Sequence, residues 1–286
     1  MENKVSEITS SKIKIAFLGP RGTFCDQAAL TFSNGKEHLL LDCKNINDIF
    51  RMVENENVDY GVVPIENSTE GSVNIALDLL LEKNIHIAGE IMERISHNLI
   101  TKSGIEMSEI KNIFSHPQAI AQCRNFLEKN LPNVQIKETS STASAVKEIK
   151  GLKHAAAIGS KLAAKTYKMS ILVKYIEDNP NNFTRFFILA KNDCEFTGSD
   201  KTSIIFSVKH VPGALYDALG IFAKKKINLT KIESRPTKDK PWEYIFFCDF
   251  EGHKTDIKLQ QALKELGDKA IFLKILGSYP KFEDRK

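Results

Sequence analysis

Ile13-Lys14-Ile15-Ala16-Phe17-Leu18-Gly19-Pro20-Arg21-Gly22-Thr23-Phe24 decides the fold class of this chain. The first six residues form a run of buried-strand length, and Gly19-Pro20 ends it. A helix is expected from about Thr23. The pattern then alternates. Leu39-Leu40-Leu41 reads as a short strand, residues 46–56 have helical spacing, Tyr60-Gly61-Val62-Val63 reads as a strand broken at Pro64, and residues 73–81 form a periodic helix. Strands alternating with helices imply a mostly parallel α/β sheet with helices on both faces.

Outward from this unit the alternation continues to about residue 191. Extended runs at 85–88, 95–100, 134–136, 155–158, 171–173 and 186–189 are interleaved with helical spacing over 117–131, 143–149 and 161–167. Two α/β lobes result, the second (about 95–175) inserted into the first, with a ligand cleft expected between them. Residues 192–201 are polar, contain Gly198 and read as a linker. Strand 203–208, helix 213–225, strands 229–233 and 244–248, helix 257–266 and strand 271–275 follow in the βαββαβ order of a ferredoxin-like domain. The expected domains are 12–191 and 200–280, the smaller one regulatory or dimerising.

Composition narrows the function. At 286 residues the chain suits about two domains. Its net charge of +4 is spread among scattered Lys and Arg, and Lys224-Lys225-Lys226 reads as a solvated helix end, so no nucleic-acid partner is expected. A slight positive balance favours a small anionic substrate. No apolar run approaches the roughly 18 residues of a membrane span, and the N-terminal residues lack an apolar export segment. Residues 1–11 read as a polar tail. Five cysteines form no C-x-x-C pair, which fits a reducing cytoplasm. His86, His97, His116 and His154 have no metal-ligand spacing, so neither metal nor cofactor is expected.

Five polar turns carry the candidate chemistry. Gly19 to Phe24 joins a strand to a helix, with Thr23 as cap or anion ligand. Residues 64–72 (Pro-Ile-Glu-Asn-Ser-Thr-Glu-Gly-Ser) follow a strand, where doubly wound folds place ligands. Ser115-His116-Pro117-Gln118 has capping-box spacing that accounts for Ser115 and Gln118 but not for His116. Ser140-Ser141-Thr142-Ala143 is a hydroxyl-rich helix start. Asn182-Phe183-Thr184-Arg185-Phe186 opens an apolar strand; alternation puts Thr184 and Phe186 on one face and Arg185 on the other. Helix starts gathered round one cleft could hold a dicarboxylate with little formal positive charge.

These five segments, in this order, closely resemble those of the prephenate dehydratase family. His210-Val211-Pro212-Gly213-Ala214-Leu215 and Asn228 to Pro236 look like the two signature segments of its ACT regulatory domain. The resemblance spans about residues 13–280 and is to the monofunctional form, without a chorismate mutase domain. It implies a two-lobed catalytic domain like the type II periplasmic binding proteins, joined to a βαββαβ ACT domain. The activity it implies is decarboxylating dehydration of prephenate to phenylpyruvate, a step toward phenylalanine, without a cofactor. By resemblance Thr184 is the catalytic residue, hydrogen-bonding the leaving hydroxyl, and Arg185 a carboxylate partner or a support. Thr23, Glu66, Asn67, Ser68, His116, Gln118, Ser141, Thr142, Asn182 and Phe186 would line the substrate pocket, with His116 or Glu66 as the better acid behind the threonine. His210, Pro212, Gly213, Ala214, Leu215, Glu233, Ser234 and Arg235 would bind L-phenylalanine as feedback inhibitor. ACT domains pairing across subunits imply a homodimer or homotetramer, and truncation near Asn192 is expected to keep some activity but abolish inhibition. The alternatives are an arogenate dehydratase and a non-catalytic two-lobed solute-binding protein.

Overall fold

The computed structural model describes residues 12–237 and 243–282; the polar tail at 1–11 lies outside them. The first lobe comprises β1 (Ile13–Leu18), α1 (Phe24–Ser33), β2 (His38–Cys43), α2 (Ile46–Glu54), β3 (Tyr60–Asn67), β4 (Gly71–Ser72), α3 (Asn74–Glu82) and β5 (His86–Arg94). The second comprises β6 (Asn98–Thr101), β7 (Asn112–Ser115), α4 (Pro117–Ala121), α5 (Arg124–Asn130), β8 (Gln135–Glu138), α6 (Thr142–Glu148), β9 (Ala155–Gly159), α7 (Lys161–Tyr167) and β10 (Ser170–Val173). The chain returns to the first lobe as β11 (Phe183–Ala190). The last domain is β12 (Asp200–Ser207), α8 (Ala214–Lys224), β13 (Leu229–Pro236), β14 (Tyr244–Glu251), α9 (Ile257–Lys269) and β15 (Phe272–Pro280), the expected βαββαβ order.

Three sheets result. The first has the order β2-β1-β3-β11-β5, with β4 paired to β3; the second is β10-β6-β9-β7-β8; the third is β13-β14-β12-β15. β11 enters antiparallel between β3 and β5, so the strand that leaves the second lobe sits in the middle of the first lobe's sheet. That insertion places Thr184, at the start of β11, where the two lobes meet.

Three elements differ from expectation. β3 is not broken at Pro64. Pro64 pairs with Phe186 and Glu66 with Arg185, leaving Ile65 as an extra residue, and a β-bulge is where a sheet tolerates proline. The strand therefore carries Glu66 and Asn67 into the lobe junction. The helix expected over 117–131 is two helices. The Asp178 amide donates to the Gln122 carbonyl at 2.7 Å, taking that acceptor out of the helical ladder, and Cys123 leaves helical geometry with φ −118° and ψ 19°. β7, a strand not expected from sequence, lies parallel between β8 and β9.

Residues 192–199 do not link two independent bodies. Ile205, Ile245, Phe247, Leu276 and Tyr279 of the last domain share one apolar core with Val63, Leu77, Leu80, Phe187 and Leu189 of the first lobe. Truncation near Asn192 would strip those five side chains from that core and expose its apolar face, so the two domains are joined by packing as well as by the chain.

Candidate active site

A cleft of about 890 Å³ opens between the lobes. Of the predicted pocket residues, Thr23, Asn67, His116, Gln118, Ser141, Thr142, Thr184 and Phe186 line it. They arrive on five strand ends and helix starts. Thr23 caps α1, accepting from the Asp26 amide while its own hydroxyl donates to the Leu18 carbonyl. Ser141 caps α6 in the same way, accepting from the Ser144 amide at 3.0 Å. At α4 the cap is His116, whose Nδ1 accepts from the Gln118 amide. Ser115, the expected cap, is buried and donates instead to the Ile158 carbonyl at 2.8 Å.

Thr184 stands at the centre of a buried amide network. Asn67 Nδ2 donates to Thr184 Oγ1 at 2.9 Å and lies 2.7 Å from Asn182 Oδ1. Asn67 Oδ1 accepts the Thr69 and Glu70 amides, each at 3.0 Å, which fixes which end of the amide is which. Asn182 Nδ2 in turn donates to Gln122 Oε1, on which His97 Nε2 also converges at 3.0 Å. Gln122 Oε1 can only accept, so His97 Nε2 carries the ring proton. His97 is buried, its Nδ1 has no hydrogen-bond partner, and Phe24 packs edge-on at 5.8 Å. Burial pushes its pKa below the usual imidazole value. Asn182 thus stands behind the cleft wall as a link in this chain. Ser68 staples the same wall, accepting from the Phe183 amide and donating to the Asn181 carbonyl.

Two predicted substrate ligands are elsewhere. Glu66 and Arg185 pair directly across β3 and β11 and face the last domain, not the cleft. Glu66 forms an ion pair with Lys231 at 2.8 Å. Arg185 is buried between Glu90 (2.7 Å) and Asp249 (2.6 Å) and donates to Tyr279 Oη. Burial alone would lower its pKa, but Asp249, Tyr279 and Glu90 outweigh this and raise it. Strand alternation forces the division: Thr184 and Phe186 point into the cleft, and Arg185 points away.

Gln122 and Lys44 line the cleft but were not singled out from sequence, and His97, which also lines it, was weighed only as a metal ligand and set aside. Gln122 owes its position to the helix break, and His97 to an amide network assembled from residues up to 117 positions apart. Neither leaves a local sequence signal.

In the last domain His210, Pro212, Ala214 and Leu215 line a groove of about 410 Å³ beside Tyr244 and Phe246, and Gly213, at φ 84°, starts α8. The second signature segment does not join them. β13 alternates: Thr230, Ile232, Ser234 and Pro236 are exposed, while Lys231, Glu233 and Arg235 face the catalytic lobe. Within one chain, therefore, Glu233 and Arg235 meet Ser72 and Asp78 rather than the groove.

Residues 15–194 match the family model for prephenate dehydratase and residues 202–268 that for the ACT domain. The bifunctional chorismate mutase/prephenate dehydratase of Aquifex aeolicus (strain VF5) is 52% identical over 94% of this chain and 74% of its own length. A solved prephenate dehydratase from Arthrobacter aurescens, in complex with L-Phe, superposes with a TM-score of 0.85 at 34% identity, over 94% of this chain and 90% of that one. A protein described as a novel type of quorum-quenching acylase superposes with a TM-score of 0.86 at 30% identity, over 96% of this chain and all of that one. Lobes, cleft and C-terminal domain agree with these matches: the chain belongs to the prephenate dehydratase family and carries an ACT domain.

Proposed function

We propose that this chain converts prephenate to phenylpyruvate in the cleft between its lobes. One observation carries the mechanism: Asn67 donates to Thr184 Oγ1, so the threonine keeps its own proton to offer. In the reaction the carbon–carboxylate bond breaks and CO2 departs. That electron pair enters the ring as the carbon–oxygen bond to the ring hydroxyl breaks, and the hydroxide takes up a proton to leave as water. Aromaticity supplies the driving force. The protein's part is to orient both carboxylates and to place a donor where negative charge develops. Lys44 and the Ser141 and Thr142 hydroxyls are the groups we assign to the carboxylates; Thr184 donates to the departing oxygen. Of the two acids considered behind it, Glu66 faces away and is tied to Lys231. His116 therefore carries the proton in this reading, its Nδ1 engaged as a cap and its Nε2 left to serve the cleft. Asparagine also caps helices well, so His116→Asn should keep α4 intact and lower kcat; an unchanged kcat removes His116 as the acid.

L-Phenylalanine is the effector we assign to the ACT groove beside His210 and Pro212, with the exposed face of β13, including Ser234, supplied by a second subunit. This accounts for the two signature segments lying apart within one chain. It supports a homodimer or homotetramer. We assign the protein to the cytoplasm, a reading its five free cysteines support. Incubating the purified chain with prephenate, arogenate and chorismate in turn tests the reading. Phenylpyruvate from prephenate is the expected product. Phenylalanine from arogenate alone would make it an arogenate dehydratase, turnover of chorismate would overturn the monofunctional form, and no turnover of any would sink the enzyme.

A further inference from the structure

The inner face of β13 is engaged with the cleft wall. Ser72 Oγ donates to Glu233 Oε2 at 2.5 Å, and Lys231 bridges Glu233 (3.1 Å) and Glu66 (2.8 Å). Arg235 pairs with Asp78 at 2.9 Å and also donates to Asn74 Oδ1. From β15, at the opposite edge of the domain's sheet, Lys274 Nζ donates to the carbonyls of Leu80, Leu81 and Lys83 at 2.7–2.9 Å. The ACT domain therefore grips α3 along its length, at its first turn, its middle and its final carbonyls, and it grips β4 immediately before it. The gripped segment is also the cleft wall: Glu70, Gly71, Ser72 and Val73 line the cleft. The two residues of β4 are anchored to β3 only at Glu66 and Asn67, and Asn67 is the donor to Thr184.

We propose that Glu233 and Arg235 are positioning residues for the catalytic cleft, acting through Ser72 and the start of α3. They touch no reacting atom. Their contribution is to fix the 70–73 wall against which substrate binds, so the regulatory domain completes the active site even when no effector is present. The kinetic part of this inference rests on the dehydratase reading; the structural part does not. The tether makes none of the hydrogen bonds to Thr184 itself, and Asn67 is also held by Asn182 and by β3, so binding should suffer more than chemistry.

The test uses the full chain without phenylalanine. Glu233→Ala is expected to raise KM for prephenate about tenfold with kcat within about twofold of wild type, and Ser72→Ala to do the same. The double variant should be little worse than Glu233→Ala alone, because that variant already removes the bond that Ser72 makes. Glu233→Gln, which keeps an acceptor for Ser72, should recover most of the loss. Backbone hydrogen exchange over residues 68–75 should quicken at least about fivefold in Glu233→Ala, a readout that needs no substrate. Wild-type KM in Glu233→Ala, with only the response to phenylalanine changed, would overturn the proposal. So would unchanged exchange over 68–75. If wild type fails to turn over prephenate while exchange still quickens in the variant, the dehydratase reading falls and the tether stands.

Discussion

Thr184 Oγ1 receives one hydrogen bond, from an amide whose other contacts hold it in place, and its own proton remains uncommitted. A hydroxyl held in this way is an oriented donor whose value appears as the leaving oxygen gains charge. Thr184→Ala should therefore lower kcat at least about 100-fold while KM changes little, the pattern for an interaction made mainly in the transition state. Steady-state kinetics on prephenate decides it, and an unchanged kcat removes Thr184 from the chemistry. His97 makes a different demand. Its folded pKa is depressed by burial, so between that value and the unfolded value of about 6.5 the unfolded chain binds a proton that the folded chain does not. Stability then rises with pH through this window and is lost on acidification. Melting temperature should fall as the pH is lowered from about 7 to 5, and His97→Gln, which keeps a donor toward Gln122, should flatten part of that fall. His86, also held down by burial, accounts for a further part. A wild-type pH profile in His97→Gln would refute the assignment.

β11 shows what a strand can do with its two faces. Thr184 and Phe186 serve the cleft, and Arg185 between them serves the domain interface, within van der Waals reach of Phe187 at 4.7 Å from its ring centre. Replacing Arg185 by Met leaves Glu90 and Asp249 buried without their shared cation, with Lys201 paired to Glu90 but not to Asp249. Breaking a buried pair in this way costs about 3–5 kcal/mol. We expect a large drop in melting temperature for Arg185→Met, a smaller one for Arg185→Lys, and kcat for the folded fraction within about threefold of wild type. Loss of kcat at full stability would return Arg185 to the cleft. The alternation that separates Thr184 from Arg185 was legible in the sequence, as were the two lobes and the βαββαβ domain, because period and turn chemistry are local. The fate of Glu66 was not: it depends on the bulge at Ile65 and on Lys231, 165 residues away in sequence. Gln122 was hidden for a similar reason, since an unbroken helix was the local reading, and the contact that breaks it comes from Asp178.

At the scale of the whole molecule, the ACT domain and the first lobe meet through a core, an ion cluster and one very close backbone approach. The approach is at Gly277 on β15, where φ is 151° and an added Cβ would meet the backbone oxygen and nitrogen of Ile87 on β5. Neither side can yield easily. Ile87 is fully buried and β5 is hydrogen-bonded to β11 along its length; β15 is held by β12 on its other edge. Gly277→Ala should therefore separate the domains locally rather than move one atom. Overpacking of this kind costs about 1–3 kcal/mol, and for a chain of this size each kcal/mol lowers the melting temperature by about 2–4 °C. The effect should also reach function. β5 adjoins the strand that carries Thr184, so KM for prephenate should rise and inhibition by phenylalanine should weaken together. An alanine at a permissive position, Gly104→Ala, provides the contrast: its positive φ of 82° is strained, but nothing lies within 4 Å of the new methyl group. It should cost stability without altering KM or inhibition. If Gly277→Ala melts, turns over and responds to phenylalanine like wild type, the two domains are not coupled through this contact.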